Sequence, residues 1–303
     1  MDRLDAMAIF VAAVETGSLS AAGRRLGVPL PTVSRRISDL ESHLNTRLLI
    51  RSTRKLSLTD AGAAYLAAAR RILDQVEEAE RLAAGEYATP QGELIVAAPI
   101  VFGRLHVLPL VNAFLQQFPA IRVRLELSDR NTDIIEDHID VAVRIGRLPD
   151  STMVATRVGG VCNVVCASPA YLAAHGTPKT PADLAGLDAV TFNALGGPDA
   201  WVFRKAGRPP APTDPIRTRL SVTTAEAALD AAIAGVGVTR VLSYQAAAAV
   251  ADGRLKIILR DFEDSQLDVS LIHSGQGRIP LKTRAFLDMA APQLREALSA
   301  LPQ

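Results

Sequence analysis

No apolar run in this chain of 303 residues approaches the roughly 18 residues a membrane-spanning helix needs. The first 15 residues read as an amphipathic helix rather than a secretion signal, so a cytoplasmic location is expected. Cysteine is scarce: only Cys162 and Cys166 are present, in Gly-Val-Cys-Asn-Val-Val-Cys-Ala, a stretch that reads as a strand. Four strand residues separate their Cα atoms by roughly 13 Å, beyond the roughly 7 Å a disulfide spans. They are read as buried thiols. The five histidines, at 43, 106, 138, 175 and 273, have no metal-ligand spacing, and no cofactor or metal is expected. Gly235-x-Gly237-x-x-Arg240 lacks the last glycine of a dinucleotide fingerprint, and no phosphate-binding Gly-Lys-Ser/Thr loop or Gly-x-Ser-x-Gly elbow occurs. Nothing in these motifs asks for an enzyme.

Charge is present but uneven. The whole chain is +1, yet residues 1–58 carry nine Lys/Arg against five acids, leaving the rest mildly acidic. Between Arg24 and Lys55 there are eight bases and two acids. A basic front and an acidic back favour a nucleic-acid module joined to a part with another task.

Residues 18–41 explain that front. Gly17 ends a first helix over residues 5–15, and Ser18 is a good cap for the next. Ala21, Ala22 and Leu26 are expected to face inward, with Arg24 and Arg25 outward. Gly27 supplies a left-handed turn, and Val28 tucks into the core. Pro31 opens a third helix, where a missing N–H does no harm. Val33, Ile37, Leu40 and Leu44 form its buried stripe, leaving Thr32, Ser34, Arg35, Arg36 and Ser38 facing out. A helix laid across a DNA backbone and a second placed in the major groove have this form. Residues 48–58 read as a basic-tipped two-stranded wing. A bare helical bundle with a solvated basic face is the competing interpretation, and the wing and charge weigh against it.

From residue 4 to residue 81 the chain resembles the LysR-type transcriptional regulators. The resemblance is carried by Phe10-Val11, Glu15-Thr16-Gly17-Ser18-Leu19-Ser20-Ala21-Ala22, Arg25-Leu26-Gly27-Val28, Pro31-x-Val33-Ser34-Arg35-x-Ile37-x-x-Leu40-Glu41, Arg47-Leu48-Leu49-x-Arg51-Ser52 and Leu58-Thr59-x-x-Gly62. It implies that Pro31, Thr32, Ser34 and Arg35 contact base edges or nearby phosphates, and that Arg51 and Arg54 of the wing contact phosphate. Arg24, Leu30, Arg36 and Ser52 complete the candidate DNA-binding set. Many members carry Ser-Gln where this chain has Pro29-Leu30. A glutamine reads adenine through two hydrogen bonds, which a leucine cannot do.

Residues 59–91 are expected to form a linker helix and hinge. Tyr65, Ala69, Ile72, Val76, Ala79 and Ala83 recur at alternating steps of four and three, a pairing seam on a rod of roughly 40 Å. The expectation is a dimer, which supplies the second half-site. The resemblance implies the same helix for dimerisation, and a tetramer built from it.

From residue 92 strands alternate with helices, which argues for a parallel, wound α/β sheet in two lobes. Lobe I is set at about residues 92–160 and 267–303, and lobe II at about 161–266. A helix is expected over residues 105–118, a short one at 133–137 and a last one at 281–298. Strands are expected at 94–98, 121–127, 140–145, 161–167, 189–192, 216–222, 236–241, 255–259 and 267–273. Here the chain resembles the family's effector domain, similar in fold to periplasmic solute-binding proteins, through Asp140-Val-Ala-Val-Arg144-Ile-Gly146, Cys166-Ala-Ser168-Pro169-Ala-Tyr171-Leu172 and Gly235-Val-Gly237-Val. It is most like the subgroup with Arg-Ile-Gly followed by Leu-Pro-Asp-Ser.

Ligands bind in the crevice at the C-terminal ends of such strands. That selects the turn Pro99, Ile100, Val101, Phe102, then Ser128 and Asp129, Arg144, and Thr223 and Thr224, with Phe203 as a cleft-lining aromatic. Arg144 reads equally as an ion-pair partner of an acid such as Asp129, Thr224 or Thr223 as a helix cap, and Phe203 as core. The function so read is a ligand-responsive regulator that binds double-stranded DNA at an interrupted inverted repeat. A small-molecule effector would then change DNA bending and the access of RNA polymerase. The rivals are a solute-binding or enzymatic α/β domain with an accessory helical module, and a nucleoid-type protein without a ligand.

Overall fold

The computed structural model describes residues 2–51, 56–83, 89–129, 139–148, 152–192, 201–203, 211–212, 216–263, 266–274 and 279–300. The chain forms two compact units, Met1–Thr89 and Pro90–Gln303.

The first unit contains α1 (Arg3–Thr16), α2 (Leu19–Leu26), α3 (Leu30–His43), strands β1 (Leu49–Arg51) and β2 (Leu56–Leu58), and α4 (Asp60–Ala83). Local chemistry sets its helix ends. The Asp2 carboxylate accepts from the Leu4 and Asp5 N–H groups, and the Ser18 hydroxyl from Ala21 N–H. Gly17 and Gly27 both turn at φ +67°, a conformation few other residues tolerate. Ala6, Ile9, Phe10, Ala22, Val33, Ile37, Leu40 and Leu48 make the core, with Val28 half-buried against it. Two expectations fail at helix ends. Leu26 and Leu44 are exposed rather than inward, because α2 and α3 stop there and the helical period no longer carries the side chain to the core.

β1 and β2 pair antiparallel, as a wing requires. The Glu41 carboxylate on α3 accepts from the Leu48 and Leu49 N–H groups at 2.8 and 3.0 Å, which pins the wing to the helix-turn-helix. Gly62 admits no side chain, since a Cβ there would stand 2.0 Å from the Leu48 carbonyl oxygen. The seam expected on α4 is used partly inside its own unit. Tyr65 packs edge-on to Phe10 at 5.6 Å and Ala69 is fully buried, leaving Ile72 and Ala79 exposed beyond them.

In the second unit β3 (Gly92–Ala98) is followed by a continuous helical run, α5 (Ile100–Phe102), a π-helical turn Gly103–Val107 and α6 (Leu108–Gln117). The run starts five residues before the expected helix. Pro109 cannot donate to the carbonyl four residues back, and the wide turn lies just there. Then come β4 (Ile121–Leu127), β5 (Val141–Ile145), β6 (Met153–Ala167), α7 (Pro169–His175), β7 (Asp188–Phe192), β8 (Val202–Phe203), β9 (Ala211–Pro212), β10 (Arg217–Val222), α8 (Ala225–Ile233), β11 (Val238–Leu242), α9 (Ser243–Ala251), β12 (Lys256–Ile258), β13 (Gln266–Ser274) and α10 (Leu281–Ser299). The helix expected at 133–137 lies outside the described residues.

The sheet is mixed, not parallel throughout. Its order is β10-β7-β11-β6-β13-β5-β3-β4, with β12 on β6. Within each lobe three strands are parallel, β4-β3-β5 and β10-β7-β11, whereas β6 and β13 run antiparallel to their neighbours. β6 is one strand of 15 residues that passes through the expected lobe boundary at 160/161. Its first part pairs with β13 and its last part with β11 and β12, so the same strand belongs to both lobes. One core joins Phe102, Phe114 and Phe286 to Val241, Tyr244 and Leu229, while a second fills lobe II around Tyr171, Leu184 and Phe203. Among the described residues no helix is long and apolar enough to cross a membrane, and no three His, Cys, Asp or Glu gather to hold a metal.

Candidate DNA-binding surface and effector cleft

α3 begins at Leu30 with Pro29 before it and no side-chain cap. Its buried side is Val33, Ile37 and Leu40. Leu30, Pro31 and Arg35 are exposed on the remaining surface, with Thr32 and Ser34 half-buried and Arg24 exposed on α2. Arg36 departs from the expected outward set. Its guanidinium lies 3.3 Å from the Asp5 carboxylate of α1, an ion pair within the unit. A second clamp ties the unit together, for Glu15 on α1 pairs with Arg25 on α2 at 2.8 Å and Arg70 on α4 at 3.2 Å. Burial works against the charged Glu15 carboxyl, but the two arginines hold its pKa below the ordinary value. The Arg51 backbone lies in β1, while Ser52 and Arg54 fall outside the described residues.

In the second unit several expected residues meet at the C-terminal ends of β3 and β4. Ser128 N–H donates to the Ala98 carbonyl, and the Asp129 carboxylate accepts from Ile100 N–H at 3.0 Å. Asp129 therefore already occupies the free N–H at the helix start, a place where an anion could otherwise be held. Pro99 and Ile100 are half-buried, but Val101 and Phe102 are turned into the core by the helix that begins at Ile100. Arg144 is half-buried near the end of β5, where loss of water lowers its pKa. Among the described residues, no ion pair joins it to Asp129. Thr224 is the N-cap of α8, its hydroxyl accepting from Ala227 N–H, and Thr223 beside it is exposed. Phe203 is core: it is 4% exposed, with the Arg240 guanidinium 5.3 Å from its ring centre.

Two family models match this chain. Residues 4–63 fit the bacterial regulatory helix-turn-helix of the lysR family, and residues 88–295 fit the LysR substrate binding domain. The chain belongs to the LysR family. It is 34% identical over 288 residues to an HTH-type transcriptional repressor of Pseudomonas aeruginosa (strain UCBPP-PA14), covering 95% of this chain and 91% of that one. The solved structure of CrgA, a LysR-type transcriptional regulator from Neisseria meningitidis, matches with a TM-score of 0.61 and 31% identity over 96% of this chain and 98% of the other. The full-length structure of the Vibrio cholerae virulence activator AphB matches with a TM-score of 0.60 and 27% identity over 95% and 98%. The chain is thus a LysR-family transcriptional regulator with a helix-turn-helix and a substrate-binding domain, and the rival of an enzymatic or solute-binding domain with an accessory module is not favoured.

The LysR substrate-binding unit also holds contacts that sequence reasoning did not single out. Arg104, on the π-helical turn of lobe I, pairs with Glu226 on α8 of lobe II at 2.7 Å. Phe102 and His106 of the same run meet Tyr244 of lobe II with ring centres 5.4 and 5.8 Å apart. Burial lowers the His106 pKa and raises that of Tyr244, in each case favouring the neutral ring. Arg104 and His106 both sit on the π-helical turn Gly103–Val107, whose place in the run the sequence did not mark.

Both LysR-unit cysteines are free thiols on β6. Cys166 is fully buried, and burial pushes its thiol up to about 12. At pH 8 its thiolate is therefore on the order of one part in ten thousand. Maleimide labelling of the folded chain is expected at Cys162 alone, with Cys166 reacting only after denaturation. Labelling of Cys166 in the native protein, read by peptide mass, would contradict this burial.

Proposed function

We propose that two copies of this chain pair through α4, place two α3 helices on an interrupted inverted repeat, and are switched by a small molecule between the lobes of the second unit. In this reading the bound effector changes the relative placement of the copies, and with it DNA bending and access of RNA polymerase. Dimers assemble further into tetramers. The protein acts in the cytoplasm and has no enzymatic activity. The domains follow residues 1–58 for DNA, 59–91 for pairing and the hinge, and 92–303 for the effector. The observation that carries the reading is Arg35, exposed on α3 opposite fully buried Val33 and Ile37. An arginine so held reaches guanine through two hydrogen bonds or a phosphate through charge.

Ile72 and Ala79, exposed on α4, offer the pairing surface that Tyr65 and Ala69 do not. In the cleft, Asp129 already fills the helix start, so the effector group facing it is a hydrogen-bond donor rather than a carboxylate.

Footprinting of the full chain with candidate metabolites tests the switch, because coupling between two sites obliges each ligand to alter the affinity for the other. A metabolite that binds the second unit is expected to change the footprint or the bend; binders that change neither would sink the sensor reading. Arg35→Ala is expected to weaken operator binding by about 1–3 kcal/mol and nonspecific DNA by much less. Equal losses on both would reassign Arg35 to phosphate positioning.

A further inference from the structure

Leu30 is the first residue of α3 and 45% exposed, more than any other large apolar side chain described on the three helices α1, α2 and α3. It is not among the side chains that pack on the core of its unit. Nothing around it supplies a polar substitute. Pro29 before it has no N–H and makes no side-chain cap, and Pro31 after it is exposed and equally without a donor. The start of the DNA-reading helix is therefore an apolar point, Pro29-Leu30-Pro31, on a surface whose next turn carries Ser34 and Arg35.

In a helix-turn-helix the N-terminal residues of the second helix are those that reach base edges. Among the groups by which the bases differ at the major-groove edge, the C5-methyl of thymine is the one that offers an apolar contact; the N7, O6, O4, N6 and N4 positions are hydrogen-bond donors or acceptors. An aliphatic side chain brought against a donor or acceptor strips its water and returns no bond, which is unfavourable. Against a methyl it buries apolar surface on both sides. We propose that Leu30 is a specificity-determining residue that selects thymine in each half-site by packing on its C5-methyl group. The proposal rests on α3 being the DNA-reading helix and adds which base its leading residue chooses.

Thymine and uracil differ only in that methyl, which gives a direct test. Full-length protein selects its operator from a random duplex library. Each thymine of the selected site is then replaced singly by deoxyuridine and affinity is measured for wild type, Leu30→Ala and Leu30→Gln. One methyl-sized contact corresponds to a loss of about fourfold per half-site. Wild type is expected to lose that factor at one thymine in each half-site and to be indifferent at the others. Leu30→Ala binds thymine and deoxyuridine alike at that position, and selection repeated with Leu30→Gln replaces that thymine by adenine. Leu30 lies outside the core, so both variants keep the fold, as circular dichroism and thermal melting would verify.

No deoxyuridine effect at any thymine in wild type would overturn the proposal, and so would an effect that persists undiminished in Leu30→Ala. Either result leaves sequence-specific binding by α3 intact. If wild type selects no sequence at all, the proposal fails together with the specific-binding reading beneath it.

Discussion

Phe10→Ala is expected to abolish DNA binding while leaving the second unit folded. Phe10 is fully buried at the centre of the first core, among Ile9, Val33, Ile37 and Leu40, with Tyr65 of α4 edge-on to its ring. One ring therefore holds α1, α3 and α4 together. Truncating a buried phenylalanine costs about 3–5 kcal/mol, because transfer energy is lost and a cavity remains. A small domain has only about 5–15 kcal/mol in total. For a unit of this size, that loss moves the melting point by more than about 10 °C. The second unit has separate cores built from other residues, so it should not feel the change. Calorimetry of the full chain should show one transition falling and the other fixed, with operator binding lost at temperatures between them. A common shift of both transitions would mean that the units unfold as one.

The helix-turn-helix was legible because its signals are local. Gly17, Ser18, Gly27 and Pro31 act within a residue or two of where they sit, and each marks a helix end that the structure has. Periodicity misled where it was extended past those ends, at Leu26 and Leu44. On α4 the apolar stripe is shared: Tyr65 packs on the core of its own unit and Ala69 is fully buried, while Ile72 and Ala79 stay exposed. A stripe of apolar residues states that something covers it, not what.

The sheet shows the same limit at longer range. Alternating strands and helices foretell parallel crossovers, and both parallel triplets are there. The antiparallel strands β6 and β13 are related across more than a hundred residues, and no local pattern records that pairing. The cleft residues divide in the same way. Ser128 and Asp129 lie at strand ends and are found there, whereas Val101 and Phe102 are turned inward by the helix that starts at Ile100, and Phe203 is buried by neighbours contributed from distant segments. Thr224 is a cap for a local reason, and its neighbour Ala225 already announced a helix.

Glu263→Ala is expected to disable lobe II far more than a surface charge would. The Glu263 side chain is only 5% exposed and grips Arg240 through both oxygens, at 2.5 and 2.9 Å, while Arg240 also donates to the Val202 carbonyl. The guanidinium also lies 5.3 Å from the Phe203 ring centre, so it rests against an apolar surface and is mostly withdrawn from water. Removing the carboxylate leaves that cation buried without its counter-charge, at a cost of about 3–5 kcal/mol. Removing both partners together, as Arg240→Met with Glu263→Leu, takes away the stranded charge and should recover most of the loss. Denaturant unfolding of the two single variants and the double would separate these terms. If Glu263→Ala and the double variant are equally destabilised, packing rather than charge accounts for the site. The first unit has no residue in this cluster, so Glu263→Ala should keep helix-turn-helix stability while lobe II loosens. A regulator in that condition retains DNA binding and loses its response to effector.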